Sequence, residues 1–193
     1  MGRRNLSSLI WAVVFAFWLV GPAPAAEFSA VTVTKIGNHE QQGKLYVKGD
    51  KARMEGVTPL GPSVSILRLD QRVMWILLPG LKTYMEMPID KAAFDQALKV
   101  PENQVTKKLL GTETLHGCET EKYETVVKVG GKQVKSLMWI SKKLEIPVRI
   151  ESADKSFSQD YDIQEGGVDD TLFEMPAGYR KMTMPAGMPE RSD

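Results

Sequence analysis

The stretch Leu115-His116-Gly117-Cys118 sets an imidazole two residues from a thiol, the pair a nucleophilic enzyme would need as base and nucleophile. Side chains this close in sequence rarely aim at each other productively. On a strand edge or in a turn, Cys118 behaves instead as a small apolar residue. No Gly-x-Ser-x-Gly elbow occurs elsewhere, and the chain is read as non-enzymatic. His39 could join His116 and Cys118 around a metal only if the fold gathered them, because no close-spaced ligand motif exists. Met182, Met184 and Met188 carry thioethers of the kind that bind Cu(I), but "PAGMPERSD" has no periodicity and is read as a flexible tail. Glu119 with Glu121, and Asp169 with Asp170, read as surface solvation, the second pair also opening a helical turn before Leu172-Phe173. Gly130-Gly131 reads as a hairpin turn and not as a phosphate loop. No metal and no cofactor is expected.

Charge is nearly balanced, with 25 Lys and Arg against 24 Asp and Glu in 193 residues, which favours neither nucleic acid nor an anionic surface as partner. Arg3 and Arg4, the apolar run Leu9–Val20 and the small residues Ala23 and Ala25 have the layout of a secretory signal peptide over residues 1–26. Cleavage is expected near Ala25 or Ala26, by either the general or the twin-arginine route. The apolar run is short for a membrane span, which takes about 20 residues. The mature protein is therefore expected in the periplasm, as a monomer. Its single cysteine, Cys118, allows no internal disulfide, so packing must hold it together. One domain over residues 27–181 and a Met- and Pro-containing tail over 182–193 is the simplest division.

Period-two alternation dominates that domain. It predicts strands at Phe28–Ile36, Lys44–Lys48, Lys51–Glu55, Ser63–Leu69, Arg72–Leu78 and Leu81–Met87. Further strands are expected at Lys107–Thr114, Lys122–Val129, Lys132–Ile140, Pro147–Ser152 and Phe157–Ile163. Gly49-Asp50, Asp70-Gln71, Pro79-Gly80 and Gly130-Gly131 are read as two-residue hairpin turns. Phe94, Ala97 and Leu98 fall at helical spacing within Asp90–Val100, where Asp90 can cap and Pro101 can stop a helix. A second short helical turn is expected at Asp169–Phe173.

Counting from the turns assigns faces. Leu45, Val47, Ala52 and Met54 share a dry face, opposite Lys44, Tyr46, Lys48, Lys51, Arg53 and Glu55. The stretch "LRLDQRVMWILLPGLKTYMEMP" collects Leu67, Leu69, Met74, Ile76, Leu78, Met85 and Met87 on one face. Its other face is mixed and places Trp75 across from Tyr84 as an aromatic pair, a candidate interaction patch. Met138 joins the dry side by the register of the Gly130-Gly131 hairpin. A sheet this long with so little helix to cover it must curl tightly, split into a sandwich, or keep a concavity for an apolar guest. Methionine on the dry face suits a surface that repacks around varied guests, and also an ordinary irregular core.

Five segments in order, "GKLYVKGDKARMEG", "ILRLDQRVMWILLPGLKTYMEMP", "GTETLHGCETEKYE", "WISKKLEIPVRIE" and "LFEMPAGY", resemble a bacterial envelope family of unknown function. That family sits beside the LolA/LolB lipoprotein carriers. The resemblance implies an α+β fold: a strongly curved antiparallel sheet, a LolA-like half-barrel, around a hydrophobic concavity. One lid helix at Asp90–Val100 and the short second helix would close it. Two features depart from the carriers. The mature chain enters strand pattern at once with "EFSAVTVT" where they begin with a helix, and Gly49-Asp50 replaces their Arg-Pro. Arg53 falls where another of their arginines sits, yet the register puts it on the wet face.

The expected function is a periplasmic binding or carrier protein for a lipid or a lipoprotein acyl chain. The alternative is a ligand-free interaction module docking on an inner- or outer-membrane protein. The expected ligand-contacting residues are Leu45, Val47, Met54, Leu67, Leu69, Met74, Ile76, Leu78, Met85, Met87 and Met138, with Phe94 and Leu98 from the lid.

Overall fold

A computed structural model describes residues 27–58, 61–90, 105–129 and 132–182. Its strands are β1 Glu27–Ile36, β2 His39–Lys48, β3 Lys51–Thr58, β4 Gly61–Arg68, β5 Val73–Leu78 and β6 Thr83–Pro88. They continue with β7 Val105–Leu115, β8 Cys118–Val129, β9 Lys132–Ser141, β10 Pro147–Ser152, β11 Phe157–Glu165 and β12 Arg180–Lys181. All belong to one open 12-stranded sheet in the order β12-β6-β5-β4-β3-β2-β1-β11-β10-β9-β8-β7. Neighbours run antiparallel except β12, which adds to β6 in parallel. The sequence reading found every strand but β12, a two-residue element with no pattern of its own.

The α+β assignment is corrected: the described chain is all-β. Among the described residues the helical elements are two 3-10 turns, Pro79–Leu81 and Asp170–Phe173. The second is the turn expected at Asp169–Phe173, with the Asp169 side chain accepting from the Thr171 N–H. Residues 91–100 of the expected lid helix lie outside the described residues. The expected helix rested on the spacing of Phe94, Ala97 and Leu98 and on the family resemblance. Among the described residues, the C-terminal segment and the β9–β10 loop pack onto the strands.

Of the three hairpin turns read from the sequence between β2 and β6, two keep the register counted from them. Lys48 faces Lys51 across Gly49-Asp50, and Arg68 faces Val73 beyond Asp70-Gln71. The Pro79-Gly80 turn departs. Leu78 pairs with Thr83, so four residues form the loop, and the Lys82 N–H closes on the Pro79 carbonyl at 3.3 Å. The reason is local. A two-residue hairpin needs positive φ at its first or both central positions, whereas proline is fixed near −65°. Pro79 therefore starts a 3-10 turn, and Lys82 takes the left-handed conformation, φ 50°. The shift is two residues, so each side chain keeps its face. Trp75 now stands opposite Glu86 and Leu77 opposite Tyr84, which replaces the expected Trp75–Tyr84 pair.

Gly43 is a position that only glycine fills. A Cβ there would meet the Glu55 carbonyl oxygen at 2.5 Å and Thr32 Oγ1 at 2.8 Å. Such close backbone approach within a strand is where sheets bend.

Candidate functional site

Register defines two faces. On the first, Phe28, Val47, Ala52, Leu67, Met74 and Met87 line up in one row from β1 to β6. The next row on that face runs Ile163, Ala30, Leu45, Met54, Ser65, Ile76 and Met85. Because four methionines lie in these rows, we call it the methionine face. The reverse carries Tyr46, Arg53, Ile66, Trp75 and Glu86 in one row, with Arg68 beside them: the arginine face.

The methionine face grades from sealed to accessible. Phe28, Ala30, Leu45, Val47, Ala52 and Leu67 are buried, in one cluster with Tyr161 and Ile146. Ile146 and Leu144, two residues before it, come from the loop between β9 and β10, so this face collects residues from both arms of the sheet. Met54, Leu69 and Met74 are half-buried against the cluster, and Leu78 is buried. Ile76, Met85, Met87 and Met138 are half-buried as well. Phe94 and Leu98 lie outside the described residues. Eleven of the thirteen expected contact residues are thus described, and ten of them lie on strands of one sheet, with Leu69 just beyond β4.

The arm from β8 to β11 adds polar groups to this face. Thr125 and Ser136 stand opposite each other on β8 and β9, and their hydroxyls meet at 2.7 Å. Gln159, buried, stands opposite Ile150, which faces Met138 in turn. Sequence reading missed Gln159. Its signal was the alternation Phe157, Gln159, Tyr161, Ile163, which puts it on the apolar side.

The arginine face explains why β5 is apolar on both sides. Val64, Ile66 and Leu77 are buried beneath Val168 and Phe173, with Tyr46, Trp75, Tyr84, Leu172, Met175 and Tyr179 around them. Trp75 and Tyr84 thus form part of an internal contact with the chain's own C-terminal segment. Cations from the side read as wet hold that segment. Lys48 and Lys51 reach the two Asp170 carboxylate oxygens at 2.9 and 2.8 Å. Their hydrogen bonds, Lys51 first, hold the Asp170 carboxyl down to about 2. Arg53 donates to the Leu172 carbonyl at 3.0 Å. Arg68, its side chain 7% exposed, forks onto Asp70 and reaches Glu174 at 2.8 Å. Beyond, the Met182 N–H donates to the Tyr84 carbonyl at 2.7 Å, and Lys181 reaches Glu86 at 2.6 Å.

His116 and Gly117 form the tip of the β7–β8 hairpin, both with positive φ, and Cys118 faces Leu115. The His116 ring lies 3.5 Å from Asp160, which also binds Arg149, so it turns to a carboxylate and not to Cys118. His39 begins β2, opposite Ile36. Among the described residues no three His, Cys, Asp or Glu side chains gather as a metal site.

Residues 30–146 match the sequence profile of a family described as "Domain of unknown function (DUF4412)". This bears out the resemblance to a family of unknown function. No curated protein matches by sequence. The fold resembles an uncharacterized conserved protein from Thermus thermophilus, with a TM-score of 0.59, 14% identity, and cover of 91% of this chain and 99% of that one. It also resembles a chain of the Pseudomonas aeruginosa MucA/MucB complex, with a TM-score of 0.55, 11% identity, and cover of 94% and 66%. A third likeness is to the Mycobacterium tuberculosis lipoprotein LppX, with a TM-score of 0.52, 13% identity, and cover of 86% and 99%. At such identities the likeness is one of fold.

Proposed function

The chain belongs to the DUF4412 family, whose description names no activity, and from that premise we propose that it is an exported binding or carrier protein for an apolar envelope ligand. The ligand is a lipid or the acyl chain of a lipoprotein, and the role is binding, without catalysis. The observation that carries this reading is the methionine face. Its rows, apolar but for Ser65, continue from a buried cluster to Ile76, Met85 and Met87, which remain half-buried. Flexible thioethers at such a border suit guests of varied shape. A chain of roughly 16 carbons would contribute about 12 kcal/mol by burial before binding costs, enough without a charged anchor. The fold shared with a lipoprotein, LppX, supports an envelope setting.

A second reading is an interaction module that docks on a membrane-protein partner. The fold shared with a chain of a protein–protein complex favours it. Native mass spectrometry separates the two, on protein exported to a bacterial periplasm and purified without detergent. A co-purifying mass that organic solvent releases as a lipid supports the carrier. A bare protein mass, unchanged after incubation with phospholipid and an acylated peptide, sinks the carrier reading and leaves the docking module.

A further inference from the structure

Gln159 is 4% exposed, yet its Oε1 has no hydrogen-bond partner. Buried side-chain oxygens in folded proteins are nearly always paired, so an orphan acceptor asks for an explanation. Its position supplies one. On β11, Gln159 stands between Thr34 on β1 and Ile150 on β10. Two residues on is Tyr161, a member of the apolar cluster, so Gln159 belongs to the methionine face. The other buried side-chain oxygen without a partner among the described residues is Thr83 Oγ1. Thr83 lies on β6, two residues before Met85, and so on the same face. Both orphans thus belong to the face that the carrier reading assigns to the ligand.

The polarity of this face is also uneven. From β1 to β6 the row Phe28, Val47, Ala52, Leu67, Met74, Met87 is wholly apolar. The β8–β11 arm brings Gln159, Thr125 and Ser136. The two hydroxyls of that arm satisfy one another, which leaves Gln159 as its open acceptor. A ligand lying across the face would set its chain along that apolar row and its head toward β11.

Resting on the carrier reading, we propose that Gln159 Oε1 accepts a hydrogen bond from the ligand's head, so that the protein selects acyl chains bearing an N–H or O–H donor beside the chain. An ester-linked chain offers only acceptors there and would leave the carboxamide oxygen unpaired. A site built around a polar group rejects a ligand that cannot pair it.

The test is displacement of a fluorescent fatty acid from delipidated protein by three competitors of equal chain length. N-palmitoylglycine methyl ester carries an amide N–H. Methyl 2-hydroxypalmitate carries an O–H. The palmitoyl ester of methyl glycolate replaces the amide N–H by oxygen. The donor-bearing competitors should bind about tenfold tighter than the ester. Gln159→Leu, and Gln159→Met as an unbranched second variant, should equalise the three competitors and so abolish the tenfold preference. Equal affinities in the wild type, a preference for the ester, or a donor preference that survives in both variants would overturn the proposal while the carrier reading stands. Failure of the wild type to bind the fluorescent fatty acid or any competitor would overturn both.

Discussion

Arg68 on β4 donates from Nη1 to the carbonyl oxygen of Phe173, 105 positions further along the chain, at 3.3 Å. The same guanidinium forks onto both Asp70 carboxylate oxygens, at 2.9 Å from Nε and 2.7 Å from Nη2. A planar group with donors in fixed directions can serve both ends of this arrangement at once. It anchors the 3-10 turn that places Phe173, fully buried, over Val64, Ile66 and Leu77. The arginine face is therefore closed by the chain itself, which leaves the methionine face as the one proposed for a ligand.

Arg68→Met should lower unfolding free energy by about 2–3 kcal/mol, because the Phe173 carbonyl loses a charged donor in a buried setting. The ion pairs add less, since the Glu174 side chain is 60% exposed. Arg68→Lys should recover only part of the loss, because an ammonium cannot fork Asp70 and reach Phe173 together. Urea denaturation measures this, and an unchanged midpoint in Arg68→Met would refute the anchoring role.

Asp170 makes docking of the C-terminal segment sensitive to acid. Hydrogen bonds from Lys51 and Lys48 hold its carboxyl at about 2 in the folded chain, against an ordinary 3.8. A depressed carboxylate stabilises fully above the ordinary value and loses its contribution as pH falls toward the folded one. The segment should stay docked at neutral pH and loosen between about 3.8 and 2. Asp170→Asn should weaken docking at neutral pH and flatten the dependence in that window. Amide exchange of residues 168–175 as a function of pH reads both effects; identical profiles in the two proteins would exclude the mechanism.

Gly43→Ala should cost about 1–3 kcal/mol, the range for forcing extra volume into a packed site. The obstruction is the Glu55 carbonyl, which is backbone and cannot rotate aside as a side chain would. Thermal unfolding of the variant is the check, and Gly56→Ala provides the control, because a Cβ there meets nothing within 4 Å.

Met85→Trp tests whether the border of the methionine face has room for a guest. With space for a ligand, the variant should lose less than about 1 kcal/mol of stability while lipid occupancy by native mass spectrometry falls. A loss of roughly 1–3 kcal/mol with no change in occupancy would mark Met85 as an ordinary core residue.

The sequence by itself determined the strands and which residues share a face. Alternation has a period of two, and a tight turn fixes parity, so Leu45, Val47 and Met54 could be placed on one face by counting, and Leu67, Met74 and Met87 likewise; the pairing of β3 with β4 joins the two sets. Even the misread loop after Leu78 kept every face, because its four residues differ from two by an even number. That error was avoidable, since Pro79 cannot adopt the positive φ of a two-residue hairpin.

Only the tertiary structure decided what lies on each face. Lys48, Lys51 and Arg53 read as solvated charges, and become anchors only because Asp170 and Leu172 arrive from far along the chain. Gln159 reads as one polar residue in an alternating strand, and becomes a buried orphan acceptor only once β1 and β10 flank it. Local periodicity encodes the direction of a side chain. Its partners depend on strand order and long-range docking, which are set by the packing of the whole sheet.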